Sequence, residues 1–326
     1  MFDSCLEVTN MEVMGTAPHF GLPLGHVAQE EMDAVWRTPF FYARGQHGEL
    51  RVYATPDEGQ KTCVFVHPGF TEPIEKYFRL IKTLEPEARV VVFDPIGQAG
   101  SPRLGQDPEK ILLGDFDQHI GMLHELLSHF GHEKNMVIGH SMGGHVALRA
   151  RLEGLIDAPL FLSNPMVNFS TKPWPSVFVR VLMAKFVALG LGNNYAPGRG
   201  GWDYRAYLSG LDKLAEGGPL RNIQLDLERR HPVLRTGGAT CCWIEAAFRS
   251  CDRLRHLLRQ NISMKGCVWL ISDHDEVIDN KRIAPLLKDI KSLQIHHFDA
   301  GHELLLERDE VAQSFQDLAL AWLRSA

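Results

Sequence analysis

The run NMVIGHSMGGHVALR (135–149) sets a serine between two glycines, Gly139-x-Ser141-x-Gly143, where an apolar stretch gives way to a helical pattern. A serine hydroxyl is a poor nucleophile near neutral pH. It needs a base to take its proton and hydrogen-bond donors to hold the charge that builds on the attacked carbonyl. A sharp strand-to-helix turn supplies part of this. It lifts the hydroxyl above the sheet, its glycines let neighbouring chain approach without a Cβ clash, and the N–H of Met142 points from the helix N-terminus toward a developing oxyanion. The second donor is expected upstream, after the strand in VFVHPGFTE (64–72), where Gly69 permits a turn and the N–H of Phe70 is the candidate. His67 reads as a turn residue, and His140 and His145 as packing or polar-lining residues rather than catalysts.

The acid and the base should follow the serine in the order Ser, Asp or Glu, His. VWLISDHDEVID (268–279) ends a strand and offers Asp273, Asp275, Glu276 and Asp279. An acid that orients a histidine belongs in the loop just past the strand. Asp275 fits that distance best, Asp273 is its rival, and Asp279 looks like a helix N-cap. LQIHHFDAGHELLLE (293–307) repeats the pattern of strand, Gly turn and helix-like run. His302 follows Gly301 in the turn, where an imidazole could reach back to Ser141, whereas His296 and His297 lie within the strand pattern. The chemistry such a set performs is acyl transfer to serine and then to water, with His302 shuttling the proton and Asp275 fixing its tautomer; no cofactor is needed.

The elements that would carry these residues alternate along the chain. Six short apolar runs, at 62–66, 89–93, 135–139, 159–163, 267–271 and 293–298, show little in–out alternation, as strands covered on both faces do. Helical patterns separate most of them, for example 74–84 and 116–130, and a last one covers 310–323. This predicts an α/β chain with a mostly parallel central sheet and helices on both faces. GELRVYA (48–54) is expected to add antiparallel edge strands. Between about Met166 and Ser263 the alternation stops, and the stretch is read as a helical cap insertion. The division is then a core of 1–165 and 264–326 with a cap of 166–263. The nucleophile turn, its upstream oxyanion turn and the order of acid and base together specify an α/β-hydrolase fold.

Composition excludes other classes. The net charge of −6 argues against a nucleic-acid partner, which calls for a basic face. No apolar run approaches the roughly 18 residues of a membrane span, and MFDSCLEVTNMEVMG at the N-terminus has neither the basic nor the apolar region of a secretory signal. The six cysteines, Cys5, Cys63, Cys241, Cys242, Cys251 and Cys267, show no C-x-x-C pairing, so neither a metal site nor a disulfide framework is expected, and reduced thiols in a cytoplasm are. VFVRVLMAKFVALGLG (177–192), apolar except for Arg180 and Lys185, reads as a buried cap helix or as a lining for an acyl chain, and leaves room for transient contact with a membrane surface.

From about Cys63 to Leu323 the chain resembles the lysophospholipase L2 group of α/β-hydrolases, relatives of the monoacylglycerol lipases. GFTEPIEKY (69–77) is similar to that group's turn after the oxyanion strand, DPIGQAGS (94–101) to its D-x-R-G-Q-G-x-S loop, and GHSMGG (139–144) to its nucleophile elbow. LGLGNNYAPG (189–198) and HPVLRTGGATCCWIEAAFRS (231–250) resemble cap segments, and DEVIDN (275–280) and AGHELLLERDE (300–310) the acid and histidine loops. Ile96 and Ala99 stand where the group has a basic residue and a glycine, His67-Pro68 replaces its usual start, and its polar cap run is not recognisable near 224–230. The resemblance favours Asp275 over Asp273 and Phe70 with Met142 as the oxyanion pair. It implies an esterase or lipase acting on a monoacyl lipid. A small non-lipid ester, acyl transfer to another acceptor, or a non-catalytic protein keeping the fold are the alternatives, and sequence leaves the oligomeric state open.

Overall fold

The computed structural model describes residues 11–325 apart from 211–213, 216, 261 and 289. The first ten residues of the N-terminal stretch read above, Cys5 among them, lie outside the described residues.

Nine strands form one sheet: β1 (Glu12–Thr16), β2 (Phe41–Gly45), β3 (Gly48–Ala54), β4 (Thr62–His67), β5 (Arg89–Phe93), β6 (Lys134–His140), β7 (Leu160–Ser163), β8 (Val268–Ser272) and β9 (Gln294–Phe298). Their order is β1-β2-β3-β5-β4-β6-β7-β8-β9. Every pairing from β5 through β9 is parallel, while β1, β2 and β3 join antiparallel, β3 directly on β5. The antiparallel margin is therefore present, but the 48–54 strand lies third from its edge, inside β1 and β2.

In β4 to β8 the apolar runs lack in–out alternation because both faces are covered, and each face has its own core; β9 departs from that expectation, its residues being exposed or half-buried at the sheet edge. Cys63 and Phe65 of β4, Val91 and Phe93 of β5, Leu160 and Leu162 of β7 and Trp269 of β8 face one cluster; Val64, Val66, Val90, Val92, Phe161, Val268 and Leu270, the residues between, face the other. The period of two is intact, with hydrophobes on both sides of it.

Among the described residues ten α-helices complete the fold: α1 (Gln29–Asp33), α2 (Phe78–Leu84), α3 (Asp117–Phe130), α4 (Met142–Leu152), α5 (Ser176–Ala188), α6 (Tyr204–Gly210), α7 (Ile223–Arg230), α8 (Cys241–Leu258), α9 (Asn280–Leu287) and α10 (Asp309–Ser325). Residues of α3, α4, α8 and α9 share the first cluster, those of α2 and α10 the second. The 74–84 pattern divides into a 3₁₀ turn, Ile74–Tyr77, and α2.

Between β7 and β8 the described residues hold four helices, α5–α8, and one isolated bridge, Tyr195–Thr240, but no strand; Ser263 bridges out of the segment to Lys291 beyond α9. They divide by packing. α8, capped by Thr240 whose hydroxyl accepts from the N–H of Trp243, sends Ala246, Ala247, Cys251, Leu254 and Leu258 into the first core cluster. α5 stands outside, with only Met183 buried. No helix among the described residues is long and apolar enough to cross a membrane.

Candidate active site

Ser141 lies between β6 and α4 with φ 49° and ψ −110°, a backbone conformation that non-glycine residues rarely hold. Hydrogen bonds pin it from both sides: its N–H donates to the Ser163 carbonyl (2.9 Å), and its carbonyl accepts from Met166 N (2.9 Å) and His145 N (3.1 Å). The flanking glycines are steric necessities. A Cβ at Gly139 would come within 2.7 Å of Gly144 Cα, and one at Gly143 would collide with the His67 carbonyl where the 67–69 turn crosses α4. The absence of a side chain at Gly143 thus holds the turn against the elbow, and its absence at Gly139 lets strand and helix meet within the elbow.

The acid and histidine loops meet as the sequence order requires. Asp275, three residues past β8, accepts a 2.7 Å hydrogen bond on Oδ2 from His302 Nδ1, and on Oδ1 from the N–H groups of Val277 and Ile278, both at 2.8 Å. Neither side chain of this pair is more than 4% exposed. Asp273 points elsewhere: it is half-exposed and pairs with His297 Nδ1 at 3.0 Å. Asp279 occupies the N-cap position of α9, but its carboxylate makes no cap hydrogen bond and pairs with Arg282 instead. The His302 carbonyl is anchored by Asn164 Nδ2 (2.8 Å) and His140 Nε2 (3.3 Å), which brings the histidine loop against the residue preceding Ser141.

Both candidate oxyanion donors sit at this junction. Gly69 N donates to Glu72 Oε2 (2.6 Å) and Thr71 N to Gln98 Oε1 (2.8 Å), so the N–H groups on either side of Phe70 are engaged. Those of Phe70 and Met142 find no acceptor among the described residues. Thr71 has φ 69°, a strained value that turns the chain here, and the Phe70 ring packs on Trp243 of α8 at 4.3 Å between centroids.

Behind the elbow lies a buried ionic cluster that reading the sequence missed. Glu72 accepts from Lys76 Nζ (2.6 Å), His140 Nδ1 (2.9 Å) and the Tyr77 hydroxyl, and Lys76 Nζ also donates to Glu303 (2.5 Å). Burial alone would discharge such groups, but their mutual attraction reverses it. His140 and Lys76 hold Glu72 well below the usual carboxylate range, and the Glu303 and Glu72 carboxylates raise Lys76. Burial pulls His140 down while Glu72 and Glu303 outweigh it, so its pKa is raised; burial, with Glu72 beside it, also raises the Tyr77 phenol. Glu72, His140 and Glu303 have ligand atoms close enough to hold a metal ion. The Lys76 ammonium is already within hydrogen-bond distance of both carboxylates, so the chain supplies its own cation. His140 is thus an ionic partner rather than a mere lining residue. His145 is a packed neutral ring, bonded to Met166 O and Ser250 Oγ, with burial lowering its pKa to about 3. His67, at the end of β4, is lowered to about 4, again by burial.

The departure at Ile96 has a structural counterpart. Ile96 is buried in the core, and the neighbouring Asp94 takes its cation from β3 instead: Arg51 Nη1 donates to Asp94 at 2.8 Å, and the same guanidinium pairs with Glu75. Asp94 in turn accepts from Ile74 N and Gly100 N, tying the 94–101 loop to the turn that carries Glu72.

The family pattern described as serine aminopeptidase, S33, a hydrolase family, matches residues 58–309, from just before β4 to the start of α10. The chain belongs to this family. Its solved likenesses share the architecture. A monoacylglycerol lipase from Paleococcus ferrophilus superposes with a TM-score of 0.65 at 20% identity, covering 85% of this chain and 98% of that one. A soluble variant of monoglyceride lipase from Saccharomyces cerevisiae gives 0.66 at 16%, covering 96% and 97%. A thermostable carboxyl esterase from Bacillus coagulans gives 0.67 at 12%, covering 88% and 97%. At such identities the likeness establishes the α/β-hydrolase fold. No curated protein matches the chain in sequence.

Proposed function

We propose that this S33-family hydrolase cleaves carboxylic esters through an acyl-enzyme on Ser141, with His302 as general base and acid, Asp275 orienting it, and the N–H groups of Phe70 and Met142 holding the oxyanion. The observation that carries the reading is the buried Asp275–His302 hydrogen bond, at 2.7 Å, in a loop anchored to the strained Ser141 elbow. In the first half-reaction the Ser141 oxygen bonds to the acyl carbon as its proton passes to His302 Nε2. The carbonyl π pair becomes the oxyanion, then re-forms to expel the alkoxide, which takes that proton. Water, deprotonated by the same nitrogen, releases the acid.

The substrate we infer is a monoacyl lipid, a lysophospholipid or monoacylglycerol. The resemblance to lysophospholipase L2 supports it, as do the two lipase likenesses and the surface of α5. Phe178, Val177 and Val181 on α5, with Trp174 before it and Leu189 after it, are exposed apolar groups beside Lys172 and Lys185. This surface fits transient contact with a lipid aggregate. We read residues 166–263 as the cap through which such a substrate enters. Gln224 of α7 reaches Thr71, and Trp243 of α8 covers Phe70. The five described cysteines are free thiols, which fits the cytoplasmic setting we propose.

The test is a fluorophosphonate probe together with a substrate panel. Labelling should vanish in Ser141→Ala, and fatty acid should be released from micellar lysophosphatidylcholine or 1-monoacylglycerol. An aminoacyl p-nitroanilide, the type of amide an aminopeptidase takes, should be hydrolysed at least a hundredfold more slowly. Labelling that survives Ser141→Ala would overturn the nucleophile. A preference for the anilide would overturn the ester assignment and leave the triad standing.

A further inference from the structure

The ionic cluster joins three segments that the chemistry needs in register. Glu72 lies in the turn that carries Phe70, and its Oε2 accepts from Gly69 N one residue before it. His140 directly precedes Ser141, and Glu303 directly follows His302. Lys76 bridges the outer two, donating to Glu72 at 2.6 Å and to Glu303 at 2.5 Å, and its side chain is 1% exposed.

The protonation of His140 follows from its partners. Nδ1 faces a Glu72 carboxylate oxygen at 2.9 Å and Nε2 faces the His302 carbonyl oxygen at 3.3 Å. Both oxygens can only accept, so both ring nitrogens carry protons and His140 is an imidazolium. Two carboxylates then face two cations, and the buried cluster is neutral. This arrangement satisfies the requirement that buried charges be paired. His140 is faced by Glu72, Glu303 and Lys76, by the Tyr77 hydroxyl through Glu72, and by the His302 ring at 4.9 Å between centroids.

We propose that Glu72, Lys76, His140 and Glu303 are positioning residues for the reaction, a neutral four-charge clamp that holds the Phe70 N–H and the His302 ring in the geometry the transition state requires. The proposal rests on the Ser141 reading above. None of the four touches the reacting atoms. Each acts through another residue: Glu72 through Gly69 and Phe70, His140 and Glu303 through His302, and Lys76 through both carboxylates. Because the oxyanion donor binds charge that exists only in the transition state, loosening the clamp should lower kcat and leave KM nearly untouched.

The experiment measures kcat and KM on a soluble p-nitrophenyl ester, well below each variant's Tm, for Lys76→Met, Lys76→Arg and Glu303→Gln. Misplacing one oxyanion donor costs about 10²–10³-fold in kcat. Lys76→Met should lose about 100-fold with KM within threefold, and Lys76→Arg, which restores the cation, should recover at least a tenth of wild-type kcat. Glu303→Gln changes shape least and keeps the fold if Lys76→Met does not. It should lose at least tenfold, and because Glu303 holds the His140 proton in place, the alkaline limb of its kcat profile should move to lower pH. Lower Tm with kcat within threefold of wild type, or a rise in KM with kcat intact, would overturn the proposal in favour of a purely structural or substrate-binding role. Fluorophosphonate labelling of wild type at Ser141 keeps the outcomes apart: its failure removes the nucleophile assignment, whereas labelled but slow variants bear on the clamp alone.

Discussion

Replacing Asp275 by asparagine tests the site where the structure constrains the outcome most. The substitution keeps shape and removes charge, and the amide must choose which way to face. Oδ1 receives two backbone N–H groups, from Val277 and Ile278 at 2.8 Å each. An asparagine oxygen will take that place, because the alternative sets an NH₂ against two donors. The NH₂ then faces His302 Nδ1 and forces that nitrogen to be the acceptor, so the proton moves to Nε2, the atom that must accept from Ser141. Turning the amide to rescue the tautomer strands two partly buried donors at up to about 1–3 kcal/mol each, or about 2–6 kcal/mol together. With 1.36 kcal/mol per decade, the active orientation is depopulated between about 30-fold and about 10⁴-fold, the upper end matching what this change costs other serine triads. We therefore expect Asp275→Asn to lower kcat on a p-nitrophenyl ester by between about 30-fold and about 10⁴-fold, with circular dichroism unchanged. Asp273→Asn, at an exposed carboxylate bonded to His297, should stay within tenfold. An Asp275→Asn enzyme within tenfold of wild type, or the reverse ranking of the two, would refute the orientation argument and move the acid to Asp273.

Further outcomes follow from individual contacts. Gly143→Ala drives a methyl into the His67 carbonyl and should cost about 1–3 kcal/mol of stability, read by urea denaturation, with most activity lost as the 67–69 turn is pushed off the elbow. Phe178→Asp, on the exposed face of α5, should leave hydrolysis of a soluble ester unchanged and depress the rate on micellar lipid several-fold; equal effects on both would remove α5 from lipid contact. Burial lowers His67, His119 and His145 to between about 3 and 4 from an ordinary 6.5. The unfolded chain therefore binds protons that the folded one refuses, and stability should fall as pH drops below about 6.5, by up to about 1.4 kcal/mol per unit for each ring. His140 has the opposite sign: raised in the fold, its contribution is complete below about 6.5 and is lost as pH rises through its folded value.

What sequence revealed and what it hid divide along a physical line. β5 coincides with the apolar run 89–93, and the other five runs agree with their strands to within a residue or two; in all but β9, whose residues are exposed or half-buried, a strand buried on both faces writes its burial into consecutive residues. β1 left no such mark: all five of its residues are exposed, and its pairing slips between Val13 and Gly15. The loops that carry Ser141, Asp275 and His302 stand out in the sequence for a different reason, since in each case a strand ends in a glycine-bearing or acidic turn whose composition is local. The choice between Asp273 and Asp275 was not local. Backbone donors from Val277 and Ile278 pin Asp275, while His297 draws Asp273 outward.

The clamp is the extreme case of such non-local information. Its bonds join residues 4, 68 and 227 positions apart, and no periodicity connects them. Lys76 sits four residues after Glu72, the spacing of an ordinary surface ion pair, which on an exposed helix would be worth a few tenths of a kcal/mol. Burial changes its meaning. At 1% exposure the ammonium cannot be left to water and must be paired, and here it finds two carboxylates. The second, Glu303, follows His302, and the surplus negative charge that would remain is balanced by protonating His140, which precedes Ser141. A residue that looks like solvent-facing charge in the sequence thus fixes the protonation state of His140 and ties down the loops on either side of Ser141. A charge-reversing change at any one of the four should therefore disturb the other three together, whereas substitutions at distant surface pairs should act singly.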